Sequence, residues 1–186
     1  MQLTRERITE AALAILGEYG LADVSMRRVA NTLGVAPGAL YWHIANKQEL
    51  IGFMAEAIVQ PLVDGVVPDP ARLSSELREA LLSVRDGAEV VVAAVSQPDS
   101  LVRQSLETRF SASVRTVLAG ADEQDAEQDK VRIVARGLLH LTLGDAAVQQ
   151  SAAQLAQATG AAPRTDGSAE HAAAVGFLLD GLKRSV

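Results

Sequence analysis

The sequence contains no cysteine, so disulfides, thiolate metal sites and a cysteine nucleophile are excluded. Histidine is nearly as scarce, with only His43, His140 and His171. HExxH, GxSxG and a glycine-rich phosphate loop are all missing, and His140 with Asp145 is too little to make a catalytic pair. These absences argue against an enzyme, and no cofactor or bound metal is expected. Aromatic residues make up only 3% of the chain, and the 48% of apolar residues are mostly alanine, leucine and valine. That balance suits packed helices better than a β-sandwich. No apolar run approaches the thickness of a bilayer, and the first residues carry no apolar leader. A soluble cytoplasmic protein with no membrane partner is the expectation.

A chain of 186 residues can bury a good core in one or two closely packed domains. Its net charge of -6 argues, taken alone, against a nucleic-acid partner. The distribution softens this, because acidic and basic side chains balance over residues 1–50 and the whole surplus falls on the remainder. Such a chain would repel DNA except at one neutral, locally basic surface.

That surface coincides with residues 24–50, where helix starts and stops are closely spaced. Ser25 can cap a first short helix, with Val24 and Val29 at the staple positions, and Gly34 can close it in the left-handed conformation. Pro37 suits the first turn of a second helix, and Asn46 with Glu49 has capping-box spacing for a third. Two short helices joined by Gly34, Val35 and Ala36 have the layout of a helix-turn-helix, whose second helix can enter a major groove. An ordinary αα corner has the same punctuation, and spacing alone leaves both open.

Elsewhere the helical period dominates. Thr4 caps a helix that runs to Gly20, and a fourth helix from Lys47 should kink or end near Gln60 because of Pro61. Asp69-Pro70 opens another, which Gly87 closes. Residues 88–95 suit a buried strand as well as a buried helix; no second strand pairs with them, so a short helix is expected. Pro98, Asp99 and Ser100 start a helix that keeps its apolar side to Gly120. A very long helix extends from Asp122 to about Ala158, and after a loop at 160–167 Ser168 caps a last one. The division is residues 1–46 as head and 47–186 as body, with 47–65 as the linking helix. The last two helices have broad apolar faces that serve either as internal core or as a surface for self-association.

SMRRVA followed by LGVAPGALYWHIANKQEL closely resembles the DNA-binding region of TetR-family regulators, and ALLSVRDGAEV and HLTLG are similar to segments of the body of tetracycline-binding members. The resemblance implies an all-α fold, a helix-turn-helix head on a helical ligand-binding and dimerisation body. It also implies a homodimer built from the last two helices of each subunit, a palindromic double-stranded DNA operator, and repression relieved by a small-molecule effector of unknown identity. A regulator without such an effector, controlled by a protein partner or by its own expression level, is the alternative.

Candidate DNA contacts follow from that alignment. Ser25, Arg27 and Arg28 stand at the head of the first short helix, and Arg27 matches a base-contacting arginine of the family; a phosphate contact is the other reading. Pro37, Gly38 and Ala39 front the recognition helix and carry no hydrogen-bonding side chain, so they offer only apolar contact with thymine methyls and close backbone approach. Tyr41, Trp42 and His43 suit sugar and phosphate, although one aromatic could instead be core, and Lys47 adds its charge to a helix N-terminus aimed at phosphate. For the effector, the resemblance points to Val63, Val91, Phe110 and Leu138, with Gln104, His140 or Thr142 as polar anchors. The metal-facing positions of tetracycline-binding members fall at about Val63, Val91 and Val148, and valine cannot hold magnesium. A mostly apolar effector is implied, not a magnesium chelate. His140 equally suits a core histidine, and His171 is expected in solvent.

Overall fold

The computed structural model describes residues 2–117, 124–162, 165 and 167–184. Among these, every regular element is helical: α1 (Arg5–Tyr19), α2 (Met26–Leu33), α3 (Pro37–Leu40), α4 (Lys47–Val63), α5 (Pro70–Ser83), α6 (Gly87–Val95), α7 (Leu101–Arg115), α8 (Gln124–Thr159) and α9 (Ser168–Arg184), with a 3-10 turn at Leu21–Asp23. The start signals are used as written. The side chains of Thr4, Ser25, Asn46, Asp69 and Ser100 each accept from a first-turn N–H of the helix that follows. Glu49 reaches back past the cap to accept from the Ala45 N–H, a variant of the capping box.

α4 is the spine. Its Leu50, Met54, Ala55 and Val59 are buried among α1, α5, α6 and α7, so the same helix roofs the head and supports the body. α8, 36 residues and roughly 54 Å long, backs the body against α5, α6, α7 and α9. Residues 88–95 are helical, as α6, with Ala88, Val90, Val91 and Ala94 buried. β-branched residues are tolerated there because packing, not propensity, decides a fully buried segment. α9 is a separate ninth helix. The expected continuation past Arg115 to Gly120 and the start at Asp122 lie outside the described residues or beyond the end of α7.

Three expectations need correction. α4 passes Pro61 and runs to Val63, since a proline in the last turn removes one hydrogen bond and leaves little helix to break. Gly87 does not close α5, which ends at Ser83; it opens α6, and a Cβ there would stand 2.5 Å from the Leu81 carbonyl oxygen. That close approach is why glycine occupies the position. His171 is 3% exposed, on the α9 face that also buries Val175 and Leu182.

Asp86, held at φ 55°, ties head to body. Its carboxylate accepts from the Leu21 N–H at 2.6 Å and from the Gln154 side-chain amide, while Arg85 Nη1 donates to Glu18 O at 2.8 Å. Gly20 faces this junction at φ 90°, where a Cβ would meet Asp86 Oδ2 at 2.7 Å.

His171 belongs to a buried polar cluster in which its Nε2 lies 3.2 Å from the Thr142 hydroxyl, which also donates to Leu138 O, with Arg78 Nε donating to Asp145 at 2.7 Å nearby. Burial lowers the His171 pKa; Asp145 opposes this and Arg78 adds to it. Below the ordinary imidazole value of about 6.5, the unfolded chain binds a proton that the folded chain resists. Stability is therefore full above that pH and falls as pH drops toward the lower folded value. Urea midpoints at pH 7.5 and 5.5 should fall with acidification in the wild type and fall less in His171→Asn. Equal declines in the two proteins would contradict this.

Candidate nucleic-acid interface and ligand groove

α2 closes at Gly34, φ 68° and ψ 30°, where the Gly34 N–H donates to the last turn and Val35 N–H reaches back to Ala30 O at 3.0 Å. This left-handed closure reverses the chain within three residues. Pro37 then sets the first turn of α3, and Leu40 and Ile44, 0% and 1% exposed, pin α3 into the core against α2. With its buried side fixed in this way, α3 presents Pro37 and Gly38 to solvent and leaves Ala39 half-buried.

The turn after α3 carries the most exposed large apolar side chains of the head. Trp42 is 89% exposed and Tyr41 54%, so neither is core. His43 is half-buried beside them. Exposing a whole indole forfeits roughly 2–3 kcal/mol of burial, which makes this turn a natural contact surface. Lys47 is exposed at the first position of α4, next to a capped N-terminus that suits phosphate. At the other edge, Ser25 and Arg27 are exposed. Arg28 is differently placed: it pairs with Asp23 and lies over the Tyr19 ring at 3.8 Å, so it is tied to the scaffold and braces the start of α2. Ser25, Arg27, Pro37 and Gly38 at the front of α3, Tyr41, Trp42 and Lys47 are thus each exposed within residues 25–47.

The seven residues expected around an effector are brought together only in part. Val63 and Gln104 border an open groove of about 420 Å³ between the end of α4 and α7, with Val67, Ser105, Thr108 and Ala112. Val91, Phe110, Leu138 and Thr142 are 0% exposed. Surface that no water-sized sphere reaches lines no void large enough for water, so these four are packed core here. His140 is exposed on α8 and is not core. Val148, at an implied metal-facing position, is 63% exposed, and no three His, Cys, Asp or Glu side chains converge among the described residues.

Nothing in the sequence spacing marks two further residues. Asp86 holds the head to the body, and Arg109, on α7, is 9% exposed and clasps the loop after α4. Both act through partners more than 40 residues away, which no local pattern reveals. No helix among the described residues is long and apolar enough to cross a membrane.

Comparison with known proteins agrees with this geometry. The family model for bacterial regulatory proteins of the tetR family matches residues 8–52, from α1 into α4. Tetracycline repressor protein class D of Escherichia coli is 32% identical over 117 residues, 59% of this chain, and the match spans only 53% of that repressor's length. Among solved structures, Mycobacterium smegmatis BioQ superposes with a TM-score of 0.81 at 35% identity, covering 97% of this chain and 98% of that one. BioQ solved with its double-stranded DNA operator gives 0.77 at 33% identity, covering 97% and 98%. An all-helical body on a helix-turn-helix head, with likeness to BioQ over almost the whole of both chains, places this protein in the TetR family as a DNA-binding transcriptional regulator.

Proposed function

We propose that the protein is a repressor that binds a palindromic operator as a homodimer and is released by a mostly apolar small molecule rather than by magnesium-tetracycline. The observation that carries the DNA reading is the exposed turn Tyr41–Trp42 between a rigidly seated α3 and the capped start of α4. In this reading residues 1–46 are the DNA-reading head and 47–186 the ligand-binding and dimerising body. Arg27 reads a base edge, Pro37, Gly38 and Ala39 make apolar contacts in the groove, and Ser25, Tyr41, Trp42, His43 and Lys47 hold the backbone. Arg28 serves the interface by bracing α2.

Lys47→Ala should weaken binding evenly across operator variants and reduce the salt slope by about 1. Arg27→Ala should cost about 1–3 kcal/mol and relax preference at one base pair. Competition binding against an operator substitution set tests both; wild-type affinity in the two variants would refute the assignment.

The packing of Val91, Phe110, Leu138 and Thr142 favours a second reading, a regulator with no small-molecule effector that answers to a protein partner or to its own abundance. Native mass spectrometry of the purified protein separates the two when joined to an operator-release screen. A dimer with a discrete extra mass, or release by a small apolar compound, supports the effector. A bare dimer that no compound releases supports the alternative.

A further inference from the structure

Arg109 is a buried cation without a counter-ion among the described residues. Its Nη1 donates to Gly65 O at 2.9 Å, and its Nη2 to Asp64 O at 3.2 Å and Val66 O at 2.6 Å, all in the loop between α4 and α5. Nε–H is sealed from solvent and has no acceptor among the described residues. Arg109 takes part in none of the ion pairs among the described residues, and the nearby Asp64 carboxylate accepts from Gln60 instead. Three carbonyl dipoles leave the charge unbalanced, whereas a buried guanidinium is ordinarily matched by an anion.

The anion has somewhere to come from. Arg109 forms part of the wall of the open groove of about 420 Å³ between the end of α4 and α7, a size within the usual range for small-molecule sites. Val63, Val67 and Ala112 give that groove an apolar side, and Gln104, Ser105 and Thr108 give it uncharged hydrogen-bonding groups. Among the described residues no second cation borders it, so a dianion such as a phosphate monoester would be poorly matched.

We propose that this groove binds an apolar monocarboxylate whose carboxylate pairs with Arg109, and whose chain lies along Val63, Val67 and Ala112. The proposal rests on the effector reading above and gives that effector its chemical class. A carboxylate taking Nε–H in a two-pronged contact also takes a neighbouring Nη N–H. Both Nη groups now serve the loop carbonyls, so binding exchanges loop contacts for ligand contacts. The loop that this frees is the one at the foot of α4, whose other end carries Lys47.

Calorimetry of the full chain with octanoate, octanol and octylamine tests this. Octanoate should bind at least tenfold more tightly than octanol, and octylamine should not bind. Gln104→Glu, on the exposed side of α7, should weaken octanoate several-fold more than it weakens octanol, and Ala112→Trp should block both. Arg109→Gln should erase the preference for octanoate; if circular dichroism shows that variant unfolded, the other two carry the test. Equal binding of octanoate and octanol, or octanoate binding untouched by Gln104→Glu and Ala112→Trp, overturns the site. Operator anisotropy with the same probe separates the two proposals. Octanoate that binds through Arg109 but leaves the operator bound upholds the site and sinks the effector reading. Release by an uncharged compound, with no octanoate binding, does the reverse.

Discussion

Phe177→Glu is expected to convert a dimer into a monomer and to lower operator affinity by roughly 100-fold or more, the usual loss when two linked contacts become independent. Phe177 is 78% exposed on α9, beside Leu178 at 40%, and Val148 and Leu155 on α8 are 63% and 65% exposed. Along α8, Val134, Leu141, Val148 and Leu155 recur every seven residues, so one stripe of the helix stays apolar over several turns. An isolated chain would leave this surface in water, at a cost of about 25 cal/mol per Å². In the proposed homodimer, pairing with a second copy about a two-fold axis would remove it, and because such an interface is self-complementary, one substitution would be felt twice. The glutamate would place two like charges in an apolar seam. Since Phe177 is exposed in the single chain, the fold itself should survive, with an unchanged far-ultraviolet spectrum. Sedimentation equilibrium reports the mass, and anisotropy on full and half operators reports whether only half-site binding remains. A dimer of wild-type affinity would sink the assignment of α8 and α9 as the interface.

How far the sequence discloses this depends on how local each signal is. The helix-turn-helix was legible in detail because Ser25, Gly34, Pro37 and Asn46 each act on their own turn of backbone, whatever the rest of the chain does. Gly87 misled for the opposite reason. As punctuation it reads as a stop, but the constraint on it is tertiary, the approach of the Leu81 carbonyl across a tight corner. Periodicity identified the apolar faces of α8 and α9 but not which polar residue beside them turns inward. His140 and His171 therefore exchanged places, one in solvent on α8 and the other buried against Thr142. Arg109 was invisible because an arginine at helical spacing reads as surface. Its burial is fixed by carbonyls of a loop more than 40 residues earlier in the chain. Among the proposed DNA contacts, the sequence leaves the exposure of Tyr41 and Trp42 open, because it does not tell that Leu40 and Ile44 take the inward positions of that stretch.

Phe110→Ala should destabilise the protein by about 3–5 kcal/mol, the range for emptying a well-packed aromatic site. Phe110 heads the fully buried side chains by volume, and it sits on α7 in the core that also holds Val91, Leu138 and Thr142, all 0% exposed. Part of the loss is the transfer of the ring back to water; the rest is a cavity that the surrounding helices cannot wholly close. The experiment also decides how an apolar effector would have to act. A packed core makes the wild type blind to small apolar probes such as benzene in its interior, whereas the alanine variant should bind them and recover part of its stability, as dry engineered cavities do. Denaturant titration gives the first quantity, and the shift of the midpoint with added benzene gives the second. If Phe110→Ala costs under about 1 kcal/mol, far below the range for a filled site, and the wild type is stabilised by benzene as strongly as the variant, the region is a pre-formed pocket and the packed-core account fails. If the cost is large and only the variant responds, an effector reaches the wild type through the α4–α7 groove or by prising these helices apart. Differential affinity would then have to supply the cost of opening, which favours a molecule with a charge to offer Arg109 over one that is apolar throughout.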